Sequence, residues 1–468
     1  MSRRLAKAAV LSFALFATGL GGNQAAADNL ADALVGAYNT SGLLEQNRAL
    51  LRAADEDVAI AVSALRPIID WTTRIQQSFN RARTGALVTD TDTATFFSGL
   101  TFRQLLYDGG AAVLAKQAAQ ETVLATRQAL IDIEQQVLFR AVTAYLRVLL
   151  QEQTVELRQN NVRVLGEELR ASNDRFEVGE VTRTDVALSE SRLALARANL
   201  STARGDLTSA QAEYVNAVGR APGRTAGEPR LPPLPSSLDA AVALAVRNHP
   251  QILGAQHDVR AAELTVEQQR RNLGPSVQLQ ADVGVTENYG NANYNHSASA
   301  GVVFSQNIYA GGRLAALVRR SMAVRDAAKA NLINVQKNVI QGVNDAYVRY
   351  QTATASLTAS NERVRAAQVA FEGIREEATL GARTTLDVLT AEQDLLDAQL
   401  ALVQDRIERS LAAYQLLSAQ GVLTAEHLGL AVQIYDPTLY YNLVKDAPAV
   451  VSQRSKDLDR VMKALGKR

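Results

Sequence analysis

A mainly helical chain that also carries membrane-type β-strands is the fold class this sequence predicts. Three observations point there. The 468-residue sequence repeats itself once at a spacing of about 200 residues. Each half holds a stretch of more than 60 residues without proline and with helical periodicity. Each half also holds two segments of about 10 residues in which apolar and polar side chains alternate, the length of a tilted membrane strand.

The first 27 residues read as a secretory leader. Arg3, Arg4 and Lys7 supply the positive start, Ala8 to Leu20 a short apolar stretch, and Ala25 to Ala27 a small-residue cleavage site before Asp28. About 13 apolar residues are too few to span a bilayer. Without the three basic residues of the leader, 46 basic face 48 acidic residues, a balance that argues against nucleic acid as a partner. The chain has no cysteine, which excludes a disulfide, a thiolate metal site and a lipidated cysteine. The four histidines, His249, His257, His296 and His427, show no ligand spacing and read as surface or packing residues, so no cofactor is expected.

The repeat is most exact around two turns. Gly179, Thr182, Asp185, Val186 and Glu190 match Gly381, Thr384, Asp387, Val388 and Glu392, each 202 residues apart. FRQLLYDGG from Phe102 returns as FSQNIYAGG from Phe304, at the same offset. Upstream the offset is 208, as for Pro67 and Pro275, so the first half has six extra residues between Pro67 and Phe102, expected in a longer loop. Five of the ten prolines fall between Pro222 and Pro235 and predict an extended connector. The expected divisions are the leader at 1–27, a first repeat at 28–218, the linker at 219–237, a second repeat at 238–420 and a tail at 421–468, to which only packing on the outside is assigned.

Both repeats read in one order. A helix comes first, at about 30–65 and 238–272. Two strands follow. In the first repeat Ile69, Trp71, Ile75 and Phe79 share one face, as do Phe96, Leu100 and Phe102. In the second, Val277, Leu279, Ala281, Val283 and Val285 form such a face, as do Ala298, Ala300, Val302 and Phe304. An ordinary soluble sheet shows the same alternation. Next comes a very long helix, from Gly110 to Phe176 and from Gly312 to Leu380, each roughly 100 Å at 1.5 Å per residue. Such rods do not fold into a compact unit. Val339, Val343, Ala346, Tyr350, Ala353 and Leu357 step by four and three, the coiled-coil period, and Val137, Ala141, Ala144, Val148 and Val155 follow suit. Tyr145 and Tyr347 on these helices read as packing residues. A glycine turn and a further long helix close each repeat.

Four strands cannot close a membrane barrel, and open edges are not tolerated in lipid. If the strands are membranous, several chains share one barrel. Three would supply twelve strands around a polar lumen, with the helices continuing the wall as a tunnel.

The leader, the duplicated helix–strand–strand–helix–helix plan, the YDGG and YAGG strand exits and the paired glycine–aspartate turns together resemble the TolC-type outer-membrane channel family, over Asn29 to Gln433. The resemblance implies a homotrimer with a shared 12-stranded transmembrane barrel and a long periplasmic α-barrel. It further implies the exit duct of type I protein secretion or multidrug efflux, catalysing no reaction. Its implied partners are a periplasmic adaptor (membrane fusion) protein and an inner-membrane ABC or RND transporter. Asp387 matches an aspartate that rings the pore entrance, and Thr390 stands where a second acidic ring often lies. Arg383 and Asp185 match residues whose bonds hold the entrance closed, and Ala378 replaces a tyrosine that makes another such bond. Val178, Gly179, Leu380 and Gly381 match the tip turns that meet the adaptor.

Two other readings of the same residues remain open at this point. Thr182 with Asp185 and Thr384 with Asp387 have the spacing of helix-capping boxes, and aspartate there also suits the helix dipole. A secreted coiled-coil structural or adhesive protein without a pore would share the long helices. No phosphate loop, metal spacing or nucleophile motif supports an enzyme.

Overall fold

A computed structural model of the chain describes residues 28–289, 293–449 and 452–464. The leader expected at 1–27 lies outside the described residues. The elements run α1 (Leu30–Thr40), α2 (Gly42–Ser63), β1 (Ile68–Thr84), β2 (Leu87–Tyr107), α3 (Ala111–Glu177) and α4 (Arg183–Val218). The same order returns as α5 (Leu238–Asn248), α6 (Pro250–Arg271), β3 (Ser276–Asn288), β4 (Tyr294–Ser305), α7 (Arg313–Thr379) and α8 (Thr385–Ala419). The short α9 (Pro437–Val444) and α10 (Gln453–Ala464) finish the chain.

Each opening helix, expected to be continuous, is broken once. Ser41 (φ −66°, ψ 110°) ends α1 and caps α2, its side chain accepting from the Leu44 amide. In the second half Pro250 forces the break. Proline disfavours helical geometry in the residue before it, and His249 adopts φ −65°, ψ 124°. The His249 ring then serves as the cap, Nδ1 accepting from the Gln251 amide at 3.2 Å.

The long helices match their sequence signature. α3 and α7 are 67 residues each. Of the positions read as a coiled-coil seam, Val137, Ala141, Ala144 and Val148 on α3 and Val339, Val343, Ala346, Ala353 and Leu357 on α7 are buried, while Val155 and Tyr350 are half-buried. Tyr145 packs at 1 % exposure, its hydroxyl donating to the Gly227 carbonyl at 3.0 Å. The linker is tied at the same place: the buried Asp28 carboxylate accepts from the Tyr214 hydroxyl at 2.7 Å and is paired with Arg220.

The strands form one antiparallel sheet in the order β1-β2-β3-β4. Its register puts Ile69, Phe102, Ala281 and Ala300 in one cross-strand row, and Trp71, Leu100, Val283 and Ala298 in the next. One apolar face therefore runs across all four strands. It is exposed: Trp71 is 74 % accessible, Val302 63 % and Val283 53 %. The other face carries Asp70, Thr101, Asp282 and Ser299 in one row, and Arg103 donates to Asp70. Contrary to the longer loop expected from sequence, the six extra residues of the first half do not form a loop. They lengthen the strands to 17 and 21 residues, against 13 and 12 in β3 and β4, with only Gly85 and Ala86 between β1 and β2. Both β1 and β4 present an unpaired edge. No helix among the described residues is long and apolar enough to cross a membrane.

Candidate functional site

The two helical hairpins, α3–α4 and α7–α8, end in the same turn, and its chemistry explains why the sequence repeats there. Gly179 (φ 82°) and Gly381 (φ 75°) occupy the left-handed region that an L side chain resists. Around Gly179, its own amide donates to Phe176 O at 3.0 Å and the Glu180 amide to Arg175 O at 2.9 Å. Around Gly381 the equivalent bonds are Gly381 to Ala378 O at 3.1 Å and Ala382 to Glu377 O at 2.9 Å. Each pair satisfies the last carbonyls of a long helix. A few residues on, a capping box opens the returning helix. Thr182 N donates to Asp185 Oδ2 at 2.9 Å, and Thr384 N donates to Asp387 Oδ2 at 3.0 Å. The Thr182 hydroxyl donates to the same Asp185 oxygen at 2.6 Å, and the Thr384 hydroxyl to that of Asp387 at 2.8 Å.

These bonds have an electrostatic consequence. The hydroxyl and backbone donors of Thr182 hold the Asp185 carboxyl below its ordinary pKa. The backbone and hydroxyl donors of Thr384 do the same for Asp387, helped by Arg383. Both carboxylates are charged at neutral pH, so capping leaves their charge in place. Capping is the role the geometry shows, and it leaves in place the charge that an entrance role would require.

Arg383 donates from Nε to Glu377 Oε2 at 2.7 Å, across its own turn. Within one chain Asp185 is therefore held by Thr182 and Arg383 by Glu377. The turns themselves stand side by side: Val181, Thr182, Asp185, Leu380, Gly381 and Arg383 line one cleft of about 580 Å³. A second groove, along α7 and α8, gathers Asp387 and Thr390 with Asp394. Thr390 is spoken for locally, its hydroxyl donating to Leu386 O at 2.8 Å. Val178 and Leu380, at 71 % and 84 % exposure, place two bare aliphatic side chains at the outermost point of the hairpins.

Sequence reading passed over three residues of this end. Glu377 answers Arg383, and only its place six residues earlier, on the other side of the turn, hints at that. Asp394 lies seven residues beyond Asp387 and so on the same helix face. Glu392 is 8 % exposed and accepts from Asn161 Nδ2, joining α8 to α3. Burial holds the Glu392 carboxyl above its ordinary pKa. Its repeat mate Glu190 is exposed, because α8, and not α4, packs between the two hairpins. No group of metal-ligating side chains occurs among the described residues.

The architecture has close counterparts among known proteins. The profile of the family described as "Outer membrane efflux protein" matches residues 37–220 and 241–422. The "Outer membrane efflux protein BepC" of Brucella suis biovar 1 is 38 % identical over 446 residues, covering 95 % of this chain and 96 % of that one. The "Alkaline protease secretion protein AprF" of Pseudomonas aeruginosa is 27 % identical, covering 76 % of this chain and 78 % of its own length. Among solved structures, the Campylobacter jejuni CmeC outer membrane channel superposes with a TM-score of 0.75 at 15 % identity, covering 90 % of each chain. With the fold, both halves of the profile and a relative of nearly full length in agreement, the chain belongs to the outer membrane efflux protein family, an exit channel of the outer membrane whose helices extend into the periplasm.

Proposed function

We propose that three copies of the chain form one continuous duct, a 12-stranded barrel in the outer membrane continued by a helical tunnel through the periplasm. The observation that carries this reading is the sheet. It has a continuous apolar face of membrane height and two unpaired edges, β1 and β4. Lipid tolerates no unpaired strand edge, and twelve strands fall within the range of such barrels. An adhesive rod without a pore has no use for such a face.

In the duct the six hairpin turns ring the periplasmic mouth. Asp387 lines the entrance there, and Arg383 with Asp185 biases it toward the closed state. The exposed Val178 and Leu380, beside Gly179 and Gly381, form the surface that meets a periplasmic adaptor protein, through which an inner-membrane ABC or RND transporter delivers cargo. The 38 % identity to a protein named for efflux, against 27 % to one named for protease secretion, favours efflux as the main use.

The test is native mass measurement of the detergent-extracted protein together with planar-bilayer recording. A trimer that conducts ions is expected. A monomer, or a trimer that never conducts, would refute the assembly.

A further inference from the structure

The polar face of the sheet contains one large aromatic side chain that alternation does not account for. Phe96 and Phe97 are adjacent, so they point to opposite faces. Phe96 belongs to the apolar face. Phe97 lies in a row with Arg74, Thr286 and Asn295, all polar. The next row toward the helices is Thr72, Gly99, Gly284 and Ser297, and the one after it Asp70, Thr101, Asp282 and Ser299. Phe97 is thus a bulky apolar ring on a wall of hydroxyls, amides and charges.

Gly99 and Gly284 explain how it is accommodated. They are direct cross-strand partners, on β2 and β3. A Cβ at Gly284 would stand 2.8 Å from Phe97 Cε2 and 3.1 Å from Cζ, and a Cβ at Gly99 would stand 2.7 Å from Cζ. The ring therefore lies down over both glycines, on a floor that exists only because two neighbouring side chains are missing. Glycine within a strand often marks such a close approach. Gly99 is constrained by backbone as well, since its Cβ would come within 2.9 Å of Val283 O. At Gly284 the two nearest atoms belong to the ring, and Ser98 O follows at 3.3 Å.

We propose that the Gly99–Gly284 pair keeps Phe97 folded against the wall and so holds the bore of the outer-membrane barrel open. This rests on the trimeric duct proposed above, in which three symmetry-related rings stand at one height. Lying flat, they leave the lumen open to wide cargo. Raised, they narrow the lumen as a collar. The size limit of the barrel is in this way set by two absent side chains.

The chain lacks cysteine, so a single Thr101→Cys reporter is a unique label. Thr101 lies on the polar face, on the helix side of Phe97. Maleimides of small and large cross-section are added from outside to cells carrying the reporter, and labelling rates are compared. The expected result has three parts. Phe97→Ala leaves both rates unchanged, because the ring is already out of the way. Gly284→Ala slows the large reagent several-fold and spares the small one. Phe97→Ala with Gly284→Ala restores the large reagent's rate. Phe97→Trp provides the same lift without touching the backbone, its indole overhanging the floor, and likewise slows only the large reagent. The proposal is overturned if neither Gly284→Ala nor Phe97→Trp slows the large reagent. It is equally overturned if Gly284→Ala slows it with Phe97 absent, or if Phe97→Ala alone speeds it several-fold. A reporter that even the small reagent never reaches refutes the lumenal assignment of this face, and with it the duct, a result distinct from the others.

Discussion

Asp55 on α2 is fully buried, and neither of its carboxylate oxygens has a hydrogen-bond partner. Burial pushes its pKa from 3.8 up to about 6, with Arg127 opposing the rise and Glu56 adding to it. Around it α9 packs on α2. The Tyr440 hydroxyl donates to Glu56 at 2.7 Å, and Tyr435 and Tyr441 pack on the cluster of Leu51, Val58, Val62 and Val123. The folded state therefore binds the Asp55 proton more tightly than the unfolded state. Below the unfolded pKa no penalty exists. As pH rises through the window from 3.8 to about 6 stability is lost, and above it the full cost stands. A shift of about two units corresponds to roughly 3 kcal/mol. Asp55→Asn keeps the shape and removes the charge, so near pH 8 it is expected to stabilise this region by about 1–3 kcal/mol, water entry on local opening reducing the gain. The assay is amide hydrogen exchange of α2 and α9, corrected for intrinsic rates, since local opening and not global unfolding is the event of interest. Protection is expected to rise on the order of tenfold or more near pH 8, and to match the native chain near pH 4. Equal protection in both proteins near pH 8, or weaker protection in the variant, would refute the reasoning.

The lipid face offers a control on the sheet. Val283→Arg places a charge at mid-sheet, costing about 2–4 kcal/mol per chain, and is expected to lower the trimer yield in outer-membrane extracts. Gln280→Arg, on the opposite face, is expected to assemble normally; equal yields would contradict the face assignment. At the entrance, Asp387→Asn is expected to reduce cation selectivity in bilayer recordings, most visibly at low salt where screening is weak. Unchanged selectivity would leave Asp387 with capping alone. Arg383→Ser breaks an exposed pair worth about 0–1 kcal/mol and is expected to raise resting conductance while trimer dissociation temperature stays nearly constant. Because Arg383 and Asp185 have different partners within the chain, combining Arg383→Ser with Asp185→Ala is expected to be additive in conductance, whereas a shared bond between chains would make it less than additive. Thr384→Ala removes a cap and is expected to loosen the α7–α8 turn by about 0.5–2 kcal/mol, read as faster proteolysis at Gly381.

Much of the architecture was legible in the sequence because it rests on local rules. The paired glycines and Thr-x-x-Asp boxes encode both turns, since each turn is built from its own residues. Alternation marked all four strands, and freedom from proline marked α3 and α7. What escaped depended on distant partners or on small balances. The break at Ser41 has no proline to announce it. The additional residues before Phe102 suit a loop or longer strands equally well until β1 and β2 are paired. Glu190 and Glu392 are equivalent in the repeat, and only the packing of α8 against α3 makes one buried and the other exposed. Phe97 interrupts the alternation, but its floor is visible only once Gly99 and Gly284 are seen to be partners across two strands that lie nearly 200 residues apart.

The unpaired edges of β1 and β4 carry a genetic consequence. A chain that folds correctly but bears a damaged edge still offers its other edge to neighbours, and so enters assemblies it cannot complete. In a population where half of the chains carry such a lesion and mix freely, only about one trimer in eight is free of it, as closed ring symmetry requires every contact to form. Edge mutations are therefore expected to behave as dominant, with a severity that null alleles of the same gene lack.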